Sequence, residues 1–174
     1  MKVSRRLIKV FFIAPFNIMI LIPALILWAA ETPQLPESLR MSFGFFRGLA
    51  GGLLIAGGSY AAFLCVSLLV EYGNGTPAPW DPPQRLVVRG LYRHVRNPLV
   101  ESVFCVLLGE SVLFGSLPLF LWFLFFASAN LIYTPLIEEP ELLRRFGNPW
   151  RTYMQNVPRW IPGRHAWTDS DPSL

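Results

Sequence analysis

Residues 48–70 read GLAGGLLIAGGSYAAFLCVSLLV, a run of 23 residues without a charged side chain between Arg47 and Glu71. A helix needs about 20 apolar residues to cross the hydrocarbon core of a bilayer. Residues 10–30 form a second uncharged run of 21 residues, and residues 117–137 form a third of the same length. Hydrophobic residues make up 53% of the chain and charged residues 15%, well away from the soluble average. The sequence therefore predicts an all-α integral membrane protein.

A fourth segment, residues 98–114, is nearly as apolar but contains Glu101 and Glu110. With it, the sequence predicts about four transmembrane helices. The acidic start and basic end of residues 138–145 match a helix macrodipole, and residues 150–156 are also amphipathic. Both segments are predicted to be short cytosolic helices that follow the last transmembrane helix.

The basic residues predict the orientation of the chain. Lys and Arg cluster before the first predicted helix, between the second and third, and after the fourth. The positive-inside rule then places both termini and the central loop in the cytoplasm, and we expect a multi-pass protein of a prokaryotic inner membrane. A cleaved signal peptide is the alternative for residues 10–30, but the run is longer than a typical h-region. Topology and anionic lipid account for the pI of about 9.4, so the expected partner is the lipid bilayer and no nucleic acid.

Small residues in the second predicted helix indicate close helix packing. Gly48 and Gly52 form one small-xxx-small pair, and Gly58 forms another with Ala62. Cys65 and Cys105 fall inside predicted helices without a His cluster, so they are interpreted as packing residues and no metal is expected.

A few polar residues near the cytosolic ends of the helices are candidates for chemistry. Glu101 lies one helical turn after Asn97, so it either shares a pocket with Arg96 or reaches out to the membrane interface. Glu138 lies one turn after Thr134 and is expected on the same helix face. Since no glycine-rich nucleotide loop or Ser-His-Asp order is present, the residues alone indicate a small polytopic membrane protein with a polar cytosolic mouth.

Two groups of residues carry a family resemblance. They run, in order, Gly90-Leu91-Tyr92, Arg96-Asn97-Pro98-Leu99-Val100, Glu138-Glu139, Leu142, Phe146-Gly147, Tyr153 and Val157-Pro158-Arg159. In this order and spacing they resemble the isoprenylcysteine carboxyl methyltransferase and phospholipid methyltransferase family of membrane enzymes. The resemblance covers about residues 73–162. It divides a single membrane domain into a two-helix anchor (residues 1–72), a methyltransferase-like region (73–162) and a polar tail (163–174).

The resemblance implies S-adenosylmethionine as cofactor, bound at the cytosolic face by the last two transmembrane helices and the short helices. By matching positions, the implied cofactor-binding residues are Gln84, Arg85, Leu86, Val87, Tyr92, Arg96, Asn97, Pro98, Leu99, Val100 and Glu138. Glu138 would hold the amino-acid end of the cofactor, and the face of Tyr92 suits a sulfonium. The implied acceptor is a lipid-like or prenylated amphipathic molecule. Glu101 and Glu139 are the candidate bases for an amine nucleophile.

The chain departs from the family pattern at three positions. Asn97 replaces a His, Val100 replaces a Tyr, and Thr134 stands where prenylcysteine-methylating members carry an Arg for the substrate carboxylate. A prenylcysteine carboxyl substrate therefore lacks its expected partner.

Two alternative functions remain open at this point. One is an NADPH-dependent membrane reductase of the sterol reductase type, in which Arg85, Arg89 and Arg93 would bind the 2′-phosphate. The other is a non-catalytic membrane scaffold that retains the fold.

Overall fold

The computed structural model describes residues 17–30, 37–78 and 80–168, with the side chains of residues 37–43 excepted. Within these ranges the chain forms helices, turns and loops, and no strand. The predicted all-α class is confirmed for this part of the chain.

The helices are numbered here in chain order. They are α1 (Ile22–Ala29), α2 (Glu37–Tyr72), α3 (Pro98–Phe114), α4 (Leu117–Tyr133), α5 (Glu139–Phe146) and α6 (Asn148–Asn156). A π-helical turn at Asn17–Leu21 precedes α1, and a second at Thr134–Glu138 joins α4 to α5. A single 3₁₀ turn, Gly90–Arg93, precedes α3.

Two helical runs among the described residues, Gly44–Tyr72 and Leu117–Phe146, are long and apolar enough to cross a membrane. The helix α3 has 17 residues, and the helical segment Asn17–Ala29 is shorter still. Of the first expected helix, residues 10–30, the part before Asn17 lies outside the described residues. Two of the four expected spans are therefore found by length, and a four-span topology stays a prediction.

The turn between α3 and α4 has clear local causes. Gly115 follows α3 with φ of 58°, a left-handed conformation that glycine adopts without a steric penalty. The side chain of Ser116 accepts a hydrogen bond from the backbone N–H of Leu119 at 3.5 Å and so caps α4. The two helices consequently form an antiparallel hairpin.

The helix α4 ends at Tyr133, although the apolar run extends to residue 137, because Pro135 interrupts the regular helix. A proline in a helix interior cannot donate the usual backbone hydrogen bond, and the chain widens into the π-turn Thr134–Glu138. The helical run then continues to Phe146. The predicted separate helix at residues 138–145 is instead joined to the span through this turn, which brings polar side chains to its cytosolic end.

Close contact between α2 and α3 depends on glycine. A Cβ atom on Gly51 would lie 2.8 Å from the backbone oxygen of Gly109, and one on Gly58 would lie 2.7 Å from that of Ser102. The expectation that Gly48 and Gly52 make the close contact is wrong for the described residues, because a Cβ on either would have no described atom within 4 Å. The expectation for Gly58 agrees with the structure.

The outer faces of the two long helices carry large apolar side chains. Phe45 on α2 is 73% exposed and Phe125 on α4 is 64% exposed. Such surface is unusual on a soluble protein and suits lipid. Since α2, α3 and α4 run alternately up and down, the end of α2, the start of α3 and the end of α4 meet at one side of the bundle, where the polar segments of the chain also gather.

Candidate active site

The first motif, residues 90–100, enters the site through a 3₁₀ turn. Gly90 begins this turn with φ of 54°, which favours glycine. The turn directs the side chain of Tyr92 inward, where it packs with Cys65 and Val87. Tyr153 of α6 holds this turn in place, because its hydroxyl donates to the carbonyl oxygen of Tyr92 at 2.7 Å. Tyr153 belongs to the second group of family-like residues, which lies within residues 138–159 and which we call the second motif. A residue of the second motif thus positions the backbone of the first.

The proline-rich loop after α2, described here for residues 73–78 and 80–83, forms one wall of the site. The carbonyl oxygen of Gly73 accepts hydrogen bonds from the backbone N–H groups of Gln84 and Arg85 at 2.7 and 3.1 Å. Thr76 is fully buried, and both its backbone N–H and its hydroxyl donate to the carbonyl oxygen of Asp81, at 2.6 and 3.0 Å. These bonds close the loop on itself, so it has a defined shape although it contains no regular helix.

The π-turn and α5 place two adjacent carboxylates in different surroundings. The hydroxyl of Thr134, fully buried, donates to Glu138 Oε2 at 3.1 Å. Glu139 accepts from three nitrogens: Arg96 Nη1, Arg159 Nε and Arg159 Nη2, each at 2.7 Å. Glu138 therefore keeps one oxygen for other partners, whereas both oxygens of Glu139 are engaged.

The segment that follows α6, residues 157–168, lies against the first motif. The backbone N–H of Arg96 donates to the carbonyl oxygen of Pro158 at 2.9 Å, and that of Gly163 donates to the carbonyl oxygen of His94 at 2.8 Å. The ring Nδ1 of His94 also lies 3.0 Å from the Gly163 carbonyl oxygen. We call residues 157–168 the C-terminal strap, since it ties the two motifs together.

These elements enclose a cavity of about 310 Å³. The first motif and the segment before it contribute Arg85, Leu86, Val87, Tyr92, Arg96, Asn97, Leu99 and Val100. The helical run and α6 contribute Tyr133, Glu138, Glu141, Leu142, Arg145, Phe146, Trp150 and Tyr153. The remaining lining comes from Leu69 of α2 and from the proline-rich loop, through Thr76, Pro77, Ala78, Pro82 and Pro83.

Most of the residues expected to bind a cofactor line this one cavity. The exceptions are Gln84 and Pro98, which are not among the lining residues. Neither candidate base lines it either. Glu139 is held by the two arginines, and a buried oxygen of Glu101, Oε1, has no hydrogen-bond partner among the described residues.

Burial sets the protonation of the groups around the cavity that lie outside the long helices. Burial raises the pKa of the Tyr153 hydroxyl and raises the pKa of Tyr92 well above its ordinary value, so both phenols stay neutral. Burial lowers the pKa of Arg96, with Glu139 acting in the opposite direction. Hydrogen bonding to Glu139 raises the pKa of Arg159. Because arginine is effectively always protonated in proteins, the guanidinium groups of Arg96 and Arg159 are both charged.

The sequence reasoning missed two sets of lining residues. The proline-rich loop offered no chemical signal beyond its turn residues, although its fully buried Thr76 determines its shape. The resemblance implied that α5 and α6 help to enclose the cofactor, but it did not single out Glu141, Arg145 and Trp150, which these helices supply to the cavity. The indole Nε1 of Trp150 is buried without a partner in the described part of the chain.

No group of three or more His, Cys, Asp or Glu side chains that could hold a metal ion is found within the described ranges.

Comparison with known proteins gives one result. The family model described as phospholipid methyltransferase matches residues 46–149, more than half of the chain. This match begins in α2 and ends in α6. It therefore includes Glu138, Glu139 and most of the cavity-lining residues, but not the C-terminal strap. No curated protein and no solved structure gives a significant match.

Proposed function

Since the chain belongs to the phospholipid methyltransferase family, we propose that it transfers a methyl group from S-adenosylmethionine to a lipid-like acceptor at the cytosolic face of a membrane. The observation that carries the proposal is the cavity itself. It brings eight residues of the segment 85–100 together with Glu138, which lies about 40 positions further along the chain.

The size and lining of the cavity fit the cofactor. A volume of about 310 Å³ lies at the lower end of the range for small-molecule sites. Tyr92, Phe146 and Trp150 offer aromatic faces suited to an adenine ring or a sulfonium.

Glu138 is the residue proposed to hold the ammonium group of the cofactor. Glu138 lines the cavity, and Thr134 engages one of its carboxylate oxygens. A charged hydrogen bond to an ammonium group would engage the other. Gln84 and Pro98 are not among the lining residues, and they are proposed to support the cavity wall from behind.

Bound S-adenosylmethionine supplies a methyl group that is already activated for transfer. The protein then needs chiefly to align the acceptor and exclude water. Tyr133, at the end of α4, is 48% exposed and also lines the cavity. The cavity thus reaches the side of the helical bundle, and we propose that an amphipathic acceptor enters there from the bilayer.

The structure gives less support to the reductase alternative. Of the three arginines considered for a 2′-phosphate, only Arg85 is among the described lining residues. Arg89 lies over the ring of Tyr72 at 4.3 Å, and Arg93 Nε donates to the carbonyl oxygen of Val88 at 3.4 Å. Three cations converging on one phosphate are therefore not found.

Calorimetric titration of the detergent-purified protein tests the proposal. We expect S-adenosylhomocysteine to bind and NADPH not to bind. Glu138→Gln should weaken S-adenosylhomocysteine roughly 10- to 100-fold, since a hydrogen bond to a charged group contributes about 1.5–3 kcal/mol. Glu71→Gln removes an exposed carboxylate at the cavity end of α2 and is the matched control. It should bind S-adenosylhomocysteine as the wild type does.

Transfer is tested separately from binding. Membranes containing the protein should incorporate a labelled methyl group from S-adenosylmethionine into an extractable lipid, and Glu138→Ala should abolish incorporation. Binding of NADPH in place of S-adenosylhomocysteine would support a reductase. A Glu138→Ala variant that retains full function in cells would support a scaffold.

A further inference from the structure

Arg96, Glu139 and Arg159 form a connected ion-pair network beside the cavity, which we call the arginine–glutamate triad. Glu139 bridges the two arginines: it accepts from Arg96 Nη1 through Oε1 and from Arg159 through both oxygens. The three residues come from the first motif, from α5 and from the C-terminal strap. Their contact therefore exists only in the folded chain.

The triad is largely buried and carries an excess positive charge. The side chains of Arg96 and Glu139 are 10% and 9% exposed, and that of Arg159 is 35% exposed. Two guanidinium groups share one carboxylate, which leaves one positive charge without a counterion in the network. Uncompensated charge is costly in a partly buried setting, and an anionic ligand beside it would offset that cost.

Arg96 is the member of the triad that lines the cavity. The other charged lining residues are accounted for: Glu141 pairs with Arg145 at 3.2 Å, and Arg85 is exposed to solvent. Of the charged residues that line the cavity, Glu138 has no cationic partner among the described ion pairs, and Arg96 belongs to a network that carries one excess positive charge. Such a pair of charges matches a zwitterion.

We propose that Arg96 is the oxyanion-binding residue of this cavity, and that Glu139 and Arg159 are positioning residues that hold its guanidinium group against the wall. The ligand group is a carboxylate or phosphate of a zwitterion whose ammonium lies at Glu138. The methyl donor, through its α-carboxylate, and a zwitterionic lipid headgroup, through its phosphate, both have this chemistry. The inference rests on the proposed function for its ligands and gives Glu139 a role other than that of a base.

The variant Arg96→Gln is suited to test the subsite. It leaves Glu139 paired with both Arg159 Nε and Arg159 Nη2, so a neutral buried pair remains and the fold should persist. Arg96→Lys keeps the charge but loses the planar fork of donors and serves as the second variant, should Arg96→Gln fail to elute as a monodisperse peak. Arg151→Gln removes an exposed arginine from α6 and is the matched control.

The experiment measures the affinity of the full chain in detergent for three probes. These are S-adenosylhomocysteine, its decarboxylated analogue, and glycerophosphoethanolamine, a zwitterionic headgroup without acyl chains. If the subsite takes the donor carboxylate, Arg96→Gln should weaken S-adenosylhomocysteine about tenfold and leave the decarboxylated analogue within about twofold. If it takes a phosphate, only glycerophosphoethanolamine should weaken.

The positioning role predicts the same selectivity in Glu139→Gln and Arg159→Gln. A purely structural role would weaken the parent ligand and its decarboxylated analogue alike. Equal losses of affinity for these two adenosyl ligands would overturn the proposal. So would unchanged affinity for every probe in Arg96→Gln, or in Arg96→Lys if Arg96→Gln does not fold. Failure of the wild type to bind either adenosyl ligand would instead contradict the proposed function, and the glycerophosphoethanolamine arm would then decide on the subsite alone.

Discussion

At the scale of single residues, Tyr153 joins the two halves of the site. It is 1% exposed, and its hydroxyl donates to the carbonyl oxygen of Tyr92 at 2.7 Å and lies 3.5 Å from that of Val95. A phenol suits this place because its ring fills the apolar cluster with Trp150 and Val157 while its tip satisfies a buried carbonyl.

Tyr153→Phe should lower the free energy of unfolding by about 1 kcal/mol, because a buried carbonyl loses its donor. Burial raises the pKa of Tyr153 above its ordinary value of 10.0. The protonated Tyr153 phenol therefore contributes fully to stability below about pH 10, and this contribution is lost as the pH rises through the folded-state pKa. The stability of the wild type should therefore fall more steeply above pH 10 than that of Tyr153→Phe.

Denaturant unfolding in detergent, followed by tryptophan fluorescence across this pH range, checks the expectation. Tyr60→Phe removes a hydroxyl that is on an exposed side chain and is the control, with no change expected. Parallel pH profiles for the wild type and Tyr153→Phe would contradict the assignment of a buried, protonated phenol.

At the scale of elements, the α2–α3 contact depends on which glycines face the partner helix. Gly51 and Gly52 are neighbours in sequence, yet a Cβ on Gly51 would lie 2.8 Å from both Gly109 O and Leu113 Cβ, while one on Gly52 would have no described atom within 4 Å. Successive residues of a helix point about 100° apart, which accounts for the difference.

We expect Gly51→Ala to destabilise the helix pair, because the clash is with backbone that cannot move aside. Gly52→Ala should be neutral or slightly stabilising, since alanine exceeds glycine in helix propensity by about 0.8–1.0 kcal/mol. The apparent melting temperatures of the two variants in the same detergent provide the measurement. A drop for Gly52→Ala equal to that for Gly51→Ala would mean that another surface covers Gly52.

At the scale of the whole molecule, the helical hairpin fixes which loops share a side. The proline-rich loop and the C-terminal strap lie at the cavity end, and the turn at Gly115 lies at the other. Together with the family match and the two helices long enough to cross a membrane, this arrangement identifies a membrane protein. The basic residues predict that the cavity end is cytosolic.

Cysteine labelling in intact cells tests this orientation. In a background with Cys65 and Cys105 replaced by Ala, Leu117→Cys should react with a membrane-impermeant maleimide added outside, and Asn74→Cys should react only after lysis. Both positions are exposed, so access depends on the membrane and not on the fold. The opposite labelling pattern would reverse the topology and place the cavity outside the cytoplasm.

The sequence by itself determined the features that depend on local pattern and solvent. Uncharged runs of membrane length predicted the helical class, and the described residues confirm it. The motif residues from Arg85 to Val100, with Glu138, pointed to the site in which most of them are found. The helical class follows from hydrophobicity, which acts over a few residues, whereas the site residues were implied by the family resemblance.

Only the tertiary structure decided the features that depend on contacts between distant segments. The sequence offered Glu139 as a candidate base, yet its carboxylate is held by Arg96 and Arg159, 43 and 20 positions away. Likewise, Pro135 carried no sign that the span would continue as a π-turn into α5. The direction in which a side chain points is set by helix phase and by what packs against it, and neither can be read from neighbouring residues alone.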